Sequence, residues 1–239
     1  MQDSMRVVAG DCTVTYENGE TEEKRGEVVV LVKPDNTVLV HDDSGYRPAA
    51  WLTRPDAVRF ERDETGFSLV AGKGTERLTV ESHADYGHAF YPVSPAGTEV
   101  GTCPACDCAL VRDGGRVVCT GCRTTYRLPR DAELTDDTCA DCGLPRFRVD
   151  RGDTFTLCLD RACESLDDAV RERFDGAWDG RCGGTFAIER RRALDAVCNS
   201  CDAVYRIPTG VVDDTCACGL PAFETPSGRR CLDGTCDRA

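Results

Sequence analysis

CTGCRTTYRLP at residues 119–129 returns as CNSCDAVYRIP at 198–208, and the reading of that pair decides the fold of the second half of the chain. Working outward, DDTCADCGLPRF at 136–147 returns as DDTCACGLPAF at 213–223, one residue shorter between its cysteines. CLDRAC at 158–163 returns as CLDGTC at 231–236. Upstream, Cys103 lies 16 residues before Cys119 and Cys182 lies 16 before Cys198. Matches of this length in a fixed order read as a tandem duplication.

Each copy divides into two four-cysteine groups. Ribbon one takes Cys103, Cys106, Cys119 and Cys122, and ribbon two takes Cys139, Cys142, Cys158 and Cys163. Ribbon three keeps Cys182, Cys198 and Cys201, and by the 16-residue spacing the position matching Cys106 is Thr185. Ribbon four takes Cys216, Cys218, Cys231 and Cys236, leaving Cys108 spare. Two cysteines separated by two residues reach one metal from a tight turn, and a second pair returned by a hairpin completes a tetrahedron. Such small modules bury little core, so metal binding supplies much of their folding free energy, about 10–16 kcal/mol apparent per site. Four filled positions leave no open site for water, which predicts structural zinc. Disulfides and an iron–sulfur cluster are the competing readings. For ribbon three three readings stand: Asp179 as fourth ligand, Cys108 as fourth ligand, or an empty site. The glycines after Cys142 and Cys218 suit knuckles that need positive φ.

Cysteine usage splits the chain. Residues 1–102 hold only Cys12 of the 17 cysteines. The expected organisation is a β domain over 1–92, a linker over 93–102, a ribbon pair over 103–164, a linking helix over 165–178 and a second ribbon pair over 179–239. The linker reading rests on YPVSPAGTEVG at 91–101, with two prolines and two glycines. SLDDAVRERF at 165–174 predicts a short helix capped by Ser165, with Leu166, Ala169, Val170, Arg173 and Phe174 on one face and a role as spacer between the ribbon pairs. In the first hundred residues, EVVVLVK and TVLVH flank PDN as a hairpin, and AVRFER, GFSLVAG and ERLTVES follow as short strands. The fold class is therefore mainly β: a small half-open barrel or sandwich followed by a tandem array of zinc ribbons with one short linking helix.

Net charge is −13, and only Lys24, Lys33 and Lys73 are lysines among 29 basic residues. Aspartate outnumbers glutamate 27 to 15. This Asp-rich, Lys-poor balance resembles that of proteins from halophiles. In dilute buffer it would argue against a polyanionic ligand, but molar salt screens charges within about 3 Å. No apolar run approaches the roughly 18 residues that cross a membrane. MQDSMRVVAGD has no basic segment followed by an apolar stretch, so a cytoplasmic location is expected.

DTCADCGLPRFRV…GDTFTLCLDRAC resembles the C-terminal four-cysteine ribbons of type IA topoisomerases, which implies a ribbon that contacts DNA, often single-stranded. Neither a topoisomerase catalytic tyrosine nor its acidic motif is present. VVVLVKPDNTVLVHDDSGYRPAAWLTRP at 28–55 resembles the N-terminal domain of the NucS endonucleases, with CTVTYENG at 12–19 as the preceding strand. That resemblance implies a half-open barrel that binds DNA and supports dimerisation, with Trp51 as a stacking aromatic and Arg47 as a phosphate contact. Glu20 departs from the family, which has a basic residue there. The core is the other reading of Trp51. The family's nuclease domain is absent, its place taken by ribbons.

Arginine–aromatic pairs recur beside the knuckles: Tyr126 with Arg127, Arg146 and Arg148 around Phe147, and Tyr205 with Arg206. Aromatic stacking plus phosphate charge holds single strands without sequence readout. The aromatics are expected in the small ribbon cores and the arginines at the surface. Asp11, Glu22 and Lys24 are the only nuclease-like set, in a polar stretch, and His41, His83 and His88 have no nucleophile arranged beside them. The expectation is a non-catalytic zinc protein that binds single-stranded or branched DNA as an accessory to repair or replication, with a possible homodimer through the first domain. A zinc-ribbon adaptor with a protein partner is the second reading, a metal-dependent endonuclease the third.

Overall fold

A computed structural model describes residues 4–236, and the chain divides into two units, Met1–Ser94 and Pro95–Ala239. The first unit has seven antiparallel strands: β1 (Ser4–Asn18), β2 (Glu20–Val32), β3 (Val38–His41), β4 (Ala50–Leu52), β5 (Ala57–Asp63), β6 (Gly66–Lys73) and β7 (Glu76–Pro92). They lie in the order β4-β3-β2-β1-β7-β6-β5. Alternation places Val8, Cys12 and Val14 of β1 inward, against Val28 and Val30, Val38 and Val40, Leu69 and Ala71, and Leu78 and Val80. Each such valine or leucine contributes roughly 1.5–3 kcal/mol on burial. The sheet curls so that edge strand β4 touches β6 and β7, while β5 stays the other edge. This is the half-open barrel. The β2–β3 hairpin turns at Asn36, whose φ of 64° the PDN sequence accommodates. Bulges interrupt the β1–β7 pairing beside Gly10, where a Cβ would sit 2.3 Å from the Ala84 carbonyl oxygen.

The second unit contains the ribbons. Ribbon one comprises β8 (Thr98–Thr102), β9 (Ala109–Asp113), β10 (Arg116–Cys119) and β11 (Thr125–Arg127). Ribbon two comprises β12 (Glu133–Thr138), β13 (Pro145–Gly152) and β14 (Thr154–Cys158). Helix α1 (Leu166–Phe174) follows, then ribbon three with β15 (Phe186–Arg190), β16 (Leu194–Cys198) and β17 (Val204–Arg206), and ribbon four with β18 (Gly210–Thr215), β19 (Pro221–Thr225) and β20 (Gly228–Cys231). Among the described residues, no helix is long and apolar enough to cross a membrane.

Two features differ from the sequence expectation. The segment 93–102 read as a linker contributes strand β8, because Thr98–Thr102 pairs with β9 and Val100 packs on the ribbon-one core. The ribbons are also not small isolated modules. One apolar cluster runs from Phe147, Val149 and Leu157 of ribbon two to Phe186 and Ile188 of ribbon three and Phe223 of ribbon four. Helix α1 inserts Leu166, Val170 and Phe174 into it, and Trp178 stacks on Phe174 with ring centroids 4.6 Å apart. Ser165 caps the helix by accepting from the Asp168 amide at 3.4 Å, while Arg173 turns outward to Asp153. β13 and β18 pair in parallel, Arg151 opposite Gly210, so ribbons two and four share one sheet.

Candidate metal centres and nucleic-acid surface

Each ribbon brings its cysteines together at the ends of paired strands. In ribbon one the sulfurs of Cys103 and Cys122 lie 3.8 Å apart and those of Cys106 and Cys119 3.3 Å. Ribbon two places Cys139 3.6 Å from Cys163 and Cys142 3.3 Å from Cys158. Ribbon four places Cys216 3.8 Å from Cys236 and Cys218 3.4 Å from Cys231, so its shorter knuckle closes an equivalent group. Within each set the sulfurs all lie within 4.8 Å of one another. A tetrahedron with ~2.3 Å metal–sulfur bonds spaces its sulfurs at about 3.8 Å, whereas a disulfide needs about 2.05 Å. Among the described residues, no two cysteines are joined by a disulfide.

The knuckles are built by the backbone. Gly143 and Gly219, at φ 73° and 89°, donate their amides to the carbonyls of Cys139 and Cys216. In ribbon two the Asp160 amide donates to the Cys158 sulfur at 3.3 Å. Glu164 accepts from the Cys158 amide and holds Arg146 at 3.0 Å, supporting the cluster from behind. Burial pushes the Cys218 thiol up, but Arg181, with backbone and thiol donors, brings it down to about 6. Cys122 is lowered to about 6, first by the Thr124 hydroxyl. Cys103 is raised to about 12: the Ala105 amide opposes the rise, and burial with the neighbouring thiols outweighs it. Ribbon one thus accepts a first negative charge readily and resists further ones. A bound cation is what lets such a set ionise fully.

Ribbon three corrects the alignment by spacing. Cys119 pairs with Leu110, nine positions back, whereas Cys198 pairs with Phe186, twelve back. The β15–β16 hairpin is therefore three residues longer, while Cys182 lies four residues before Phe186 as Cys106 lies four before Leu110. The 3.3 Å contact between Cys182 and Cys198 matches that between Cys106 and Cys119. Cys182 thus occupies the place of Cys106, and the vacated position, that of Cys103, is Gly180: its amide donates to the Gly184 carbonyl as Cys103 does to Cys108, and a Cβ there would lie 3.3 Å from the Cys198 sulfur. Thr185 corresponds instead to Ala109, and its hydroxyl accepts from Asn199 Nδ2 at 2.9 Å. Cys182, Cys198 and Cys201 form a three-sulfur group, and the Asp179 carboxylate lies outside it. Cys108 stays beside Cys106 in ribbon one, where it packs over Gly121.

In the first unit, Trp51 is 55% exposed and Tyr46 84% exposed. The Arg47 guanidinium lies 5.7 Å from the Tyr46 ring centroid, and its Nε donates to the Tyr46 hydroxyl at 3.2 Å. Two concavities adjoin Trp51, one lined with Leu39, Arg47 and Pro48, the other with Tyr16, Lys24 and Glu76. The core reading of Trp51 is excluded. Residues 2–94 match the family described as the Endonuclease NucS N-terminal PH-like domain.

The first unit is NucS-like.

Endonuclease NucS of Mycolicibacterium smegmatis is 36% identical over 97 residues, covering 38% of this chain and 43% of that protein. Endonuclease NucS 2 of Halobacterium salinarum is 30% identical over 95 residues, covering 38% of each. DNA topoisomerase 1 of Methanothermobacter thermautotrophicus is 35% identical over 101 residues, covering 38% of this chain and 14% of that protein. A solved EndoMS–dsDNA complex matches with a TM-score of 0.35 at 27% identity, covering 42% of this chain and 43% of that one. The chain spans less than half the length of these relatives. It joins a NucS-like N-terminal unit to ribbons of topoisomerase type, and the Halobacterium relative accords with the Asp-rich composition.

The remaining sequence-selected residues are distributed as follows. Beyond the NucS-like unit, Arg127 is exposed on β11. Arg146 is tied into ribbon two by Glu164 and by the Thr156 carbonyl, and Arg148 pairs with Glu133 at 3.0 Å. Arg206 is exposed, 4.0 Å from Asp195. Phe147 and Phe223 are buried, and Tyr126 and Tyr205 are half-buried against the ribbon cores. Within the NucS-like unit, Asp11 pairs with Arg25 at 2.9 Å and Glu22 with Lys24 at 3.0 Å. Glu22 sits opposite Tyr16, five residues and roughly 17 Å along the strand from Asp11, so the two carboxylates do not converge. His83 bonds Thr13, and His88 stacks on Phe60 and meets Phe90 edge to face. Trp178, and the arginines other than Arg206 that gather between the ribbon copies, were not singled out by the sequence.

Proposed function

We propose that this chain is a non-catalytic, zinc-dependent DNA-binding protein that favours single-stranded or branched DNA and serves repair or replication. The observation that carries the reading is Trp51, exposed beside Tyr46 and Arg47 on a NucS-like unit, in a chain whose second unit holds cysteine sets spaced for zinc. Exposed aromatics with an arginine at their edge offer stacking faces and phosphate charge at once. The endonuclease names of the relatives support DNA as the ligand. The non-catalytic part rests on two points: the family match lies in the N-terminal domain, and Asp11 and Glu22 stand apart.

Stacking contributes about 1–3 kcal/mol per base, so Trp51→Ala is expected to weaken single-strand binding roughly 5- to 150-fold. Fluorescence anisotropy with labelled single-stranded, duplex and forked DNA measures this. Equal affinity of the two proteins would remove Trp51 from the interface. If the unsubstituted chain binds none of the three DNAs, the protein is instead an adaptor for a protein partner.

The three four-cysteine sets define the zinc capacity. We propose that ribbon three, with Gly180 where ribbon one has Cys103, lacks a fourth protein ligand and holds no structural zinc. Zinc content by mass spectrometry should read three per chain, stay at three in Asp179→Ala and rise to four in Gly180→Cys. A count of four that falls to three in Asp179→Ala would instead make Asp179 the fourth ligand.

A further inference from the structure

The chain carries a net charge of −13, yet one groove in its second unit gathers seven arginines. Its volume is about 810 Å³. Arg130, Arg151 and Arg161 come from the first ribbon copy, and Arg190, Arg192, Arg206 and Arg230 from the second. Among the described residues, only three carboxylates, Asp131, Glu164 and Asp167, line the same walls. The loops leaving the two repeated YRxP segments face this groove, with Pro129 from one copy and Pro208 from the other. It is therefore a feature of the duplication, absent from a single ribbon.

The arginines are not used up by the fold. Arg190 is committed to Asp167, and Arg151 shapes the wall by donating to the Arg130 carbonyl at 2.9 Å and the Thr209 hydroxyl at 3.1 Å. Arg206 stands 4.0 Å from Asp195. Among the described residues, Arg130, Arg161, Arg192 and Arg230 enter no ion pair and no side-chain hydrogen bond. The hairpin that is three residues longer in ribbon three carries the run Arg190, Arg191 and Arg192 where ribbon one turns through Gly114 and Gly115. The lengthening thus delivers Arg190 and Arg192 to the groove wall.

We propose that this groove binds the phosphodiester backbone of a single DNA strand. The inference rests on the DNA-binding reading and assigns it a second contact surface, in the ribbon unit. Several arginines converging without carboxylate partners match a row of phosphates. A cleft of this size falls in the range that encloses a ligand of a few hundred daltons, so it takes a few successive phosphates of one strand and excludes the width of a duplex. The only aromatic on its walls, Phe147, is buried, so recognition here is through the backbone and tolerates any sequence.

The test is an anisotropy titration of labelled single-stranded DNA with the zinc-loaded full chain, at several KCl concentrations. Each phosphate contact contributes about −0.7 to the slope of log K against log salt. The triple variant Arg130→Ala, Arg192→Ala, Arg230→Ala should flatten that slope by about 2 units and weaken binding about tenfold or more at low salt. The triple lysine variant, which keeps the charge, should retain the slope and certifies that the fold and zinc content survive substitution. An alanine variant with unchanged slope and affinity, in a protein that still binds DNA through Trp51, overturns the groove assignment alone. Absence of DNA binding by the unsubstituted chain overturns the DNA reading and the groove together. Inorganic polyphosphate displacing the DNA at lower charge-equivalent concentration would give the groove to that ligand instead.

Discussion

Stripping zinc from the full chain is expected to unfold residues 95–239 while leaving the sheet of residues 4–92 intact. Seven cysteines are buried within the ribbon cores, Cys119 and Cys158 completely, so their sulfurs lie where apolar side chains would otherwise pack. Metal binding contributes about 10–16 kcal/mol apparent per structural site, more than the total stability of most domains. The first unit has its own core of valines and leucines, with Cys12 as its one cysteine and no four-cysteine set. Hydrogen exchange after treatment with a strong chelator should show amides of β9–β20 losing protection and those of β1–β7 keeping it. Cys158→Ser should reproduce the loss locally, releasing one zinc and exposing ribbon two first. Full protection of the second unit without metal would mean that the apolar cluster alone holds the ribbons.

The second large effect lies at the joint between the copies. Phe223 is fully buried and meets Trp178 edge to face, with centroids 5.8 Å apart, and Trp178 in turn stacks on Phe174 of the helix. Phe223→Ala is expected to cost about 3–5 kcal/mol, because the surrounding strands and helix cannot collapse into the space. In a unit of this size that lowers the melting temperature by roughly 10 °C. Calorimetry of the zinc-loaded protein measures the shift. Tyr46→Ala, at an exposed ring of the other unit, should change stability by less than about 0.5 kcal/mol. Comparable shifts in the two variants would contradict a shared core.

The legible and illegible parts of this chain divide along physical lines. The repeat announced the ribbons because cysteine spacing is a local constraint: one metal must be reached from one turn. The same holds for Gly143 and Gly219, for the Ser165 cap and for the PDN turn at Asn36, since each depends on residues a few positions apart. The shared core was hidden because Trp178, Phe186 and Phe223 come from the segment between the copies, ribbon three and ribbon four, and meet only in the folded packing. Ribbon three misled the count for a sharper reason. Cys182 matches Cys106, three residues after Cys103, and the hairpin is three residues longer, so the 16-residue spacing survives while the missing ligand position moves from Thr185 to Gly180. The arginine groove is the extreme case. Its residues are scattered from 130 to 230, and only the parallel pairing of β13 with β18 and the packing of the helix bring them together.

The joining of a NucS-like unit to topoisomerase-type ribbons gives two surfaces of different character. Around Trp51 the chemistry is aromatic with one guanidinium at its edge; in the groove it is almost purely guanidinium. A strand that stacks on the first and threads the second would be held by bases in one place and by phosphates in the other. Because linked contacts raise affinity beyond either alone, the intact chain should bind more tightly than either surface accounts for. The groove also depends on the metal, since its walls are ribbon strands.

The most direct measurement is therefore the affinity of the full chain for single-stranded DNA, zinc-loaded and zinc-stripped, by anisotropy from about 0.2 to 2 M KCl. The account predicts saturable binding of the zinc-loaded chain that falls with salt, and a zinc-stripped chain that binds more weakly and with a flatter salt slope. Equal binding with and without zinc would contradict it, and no binding in either state would remove DNA as the ligand.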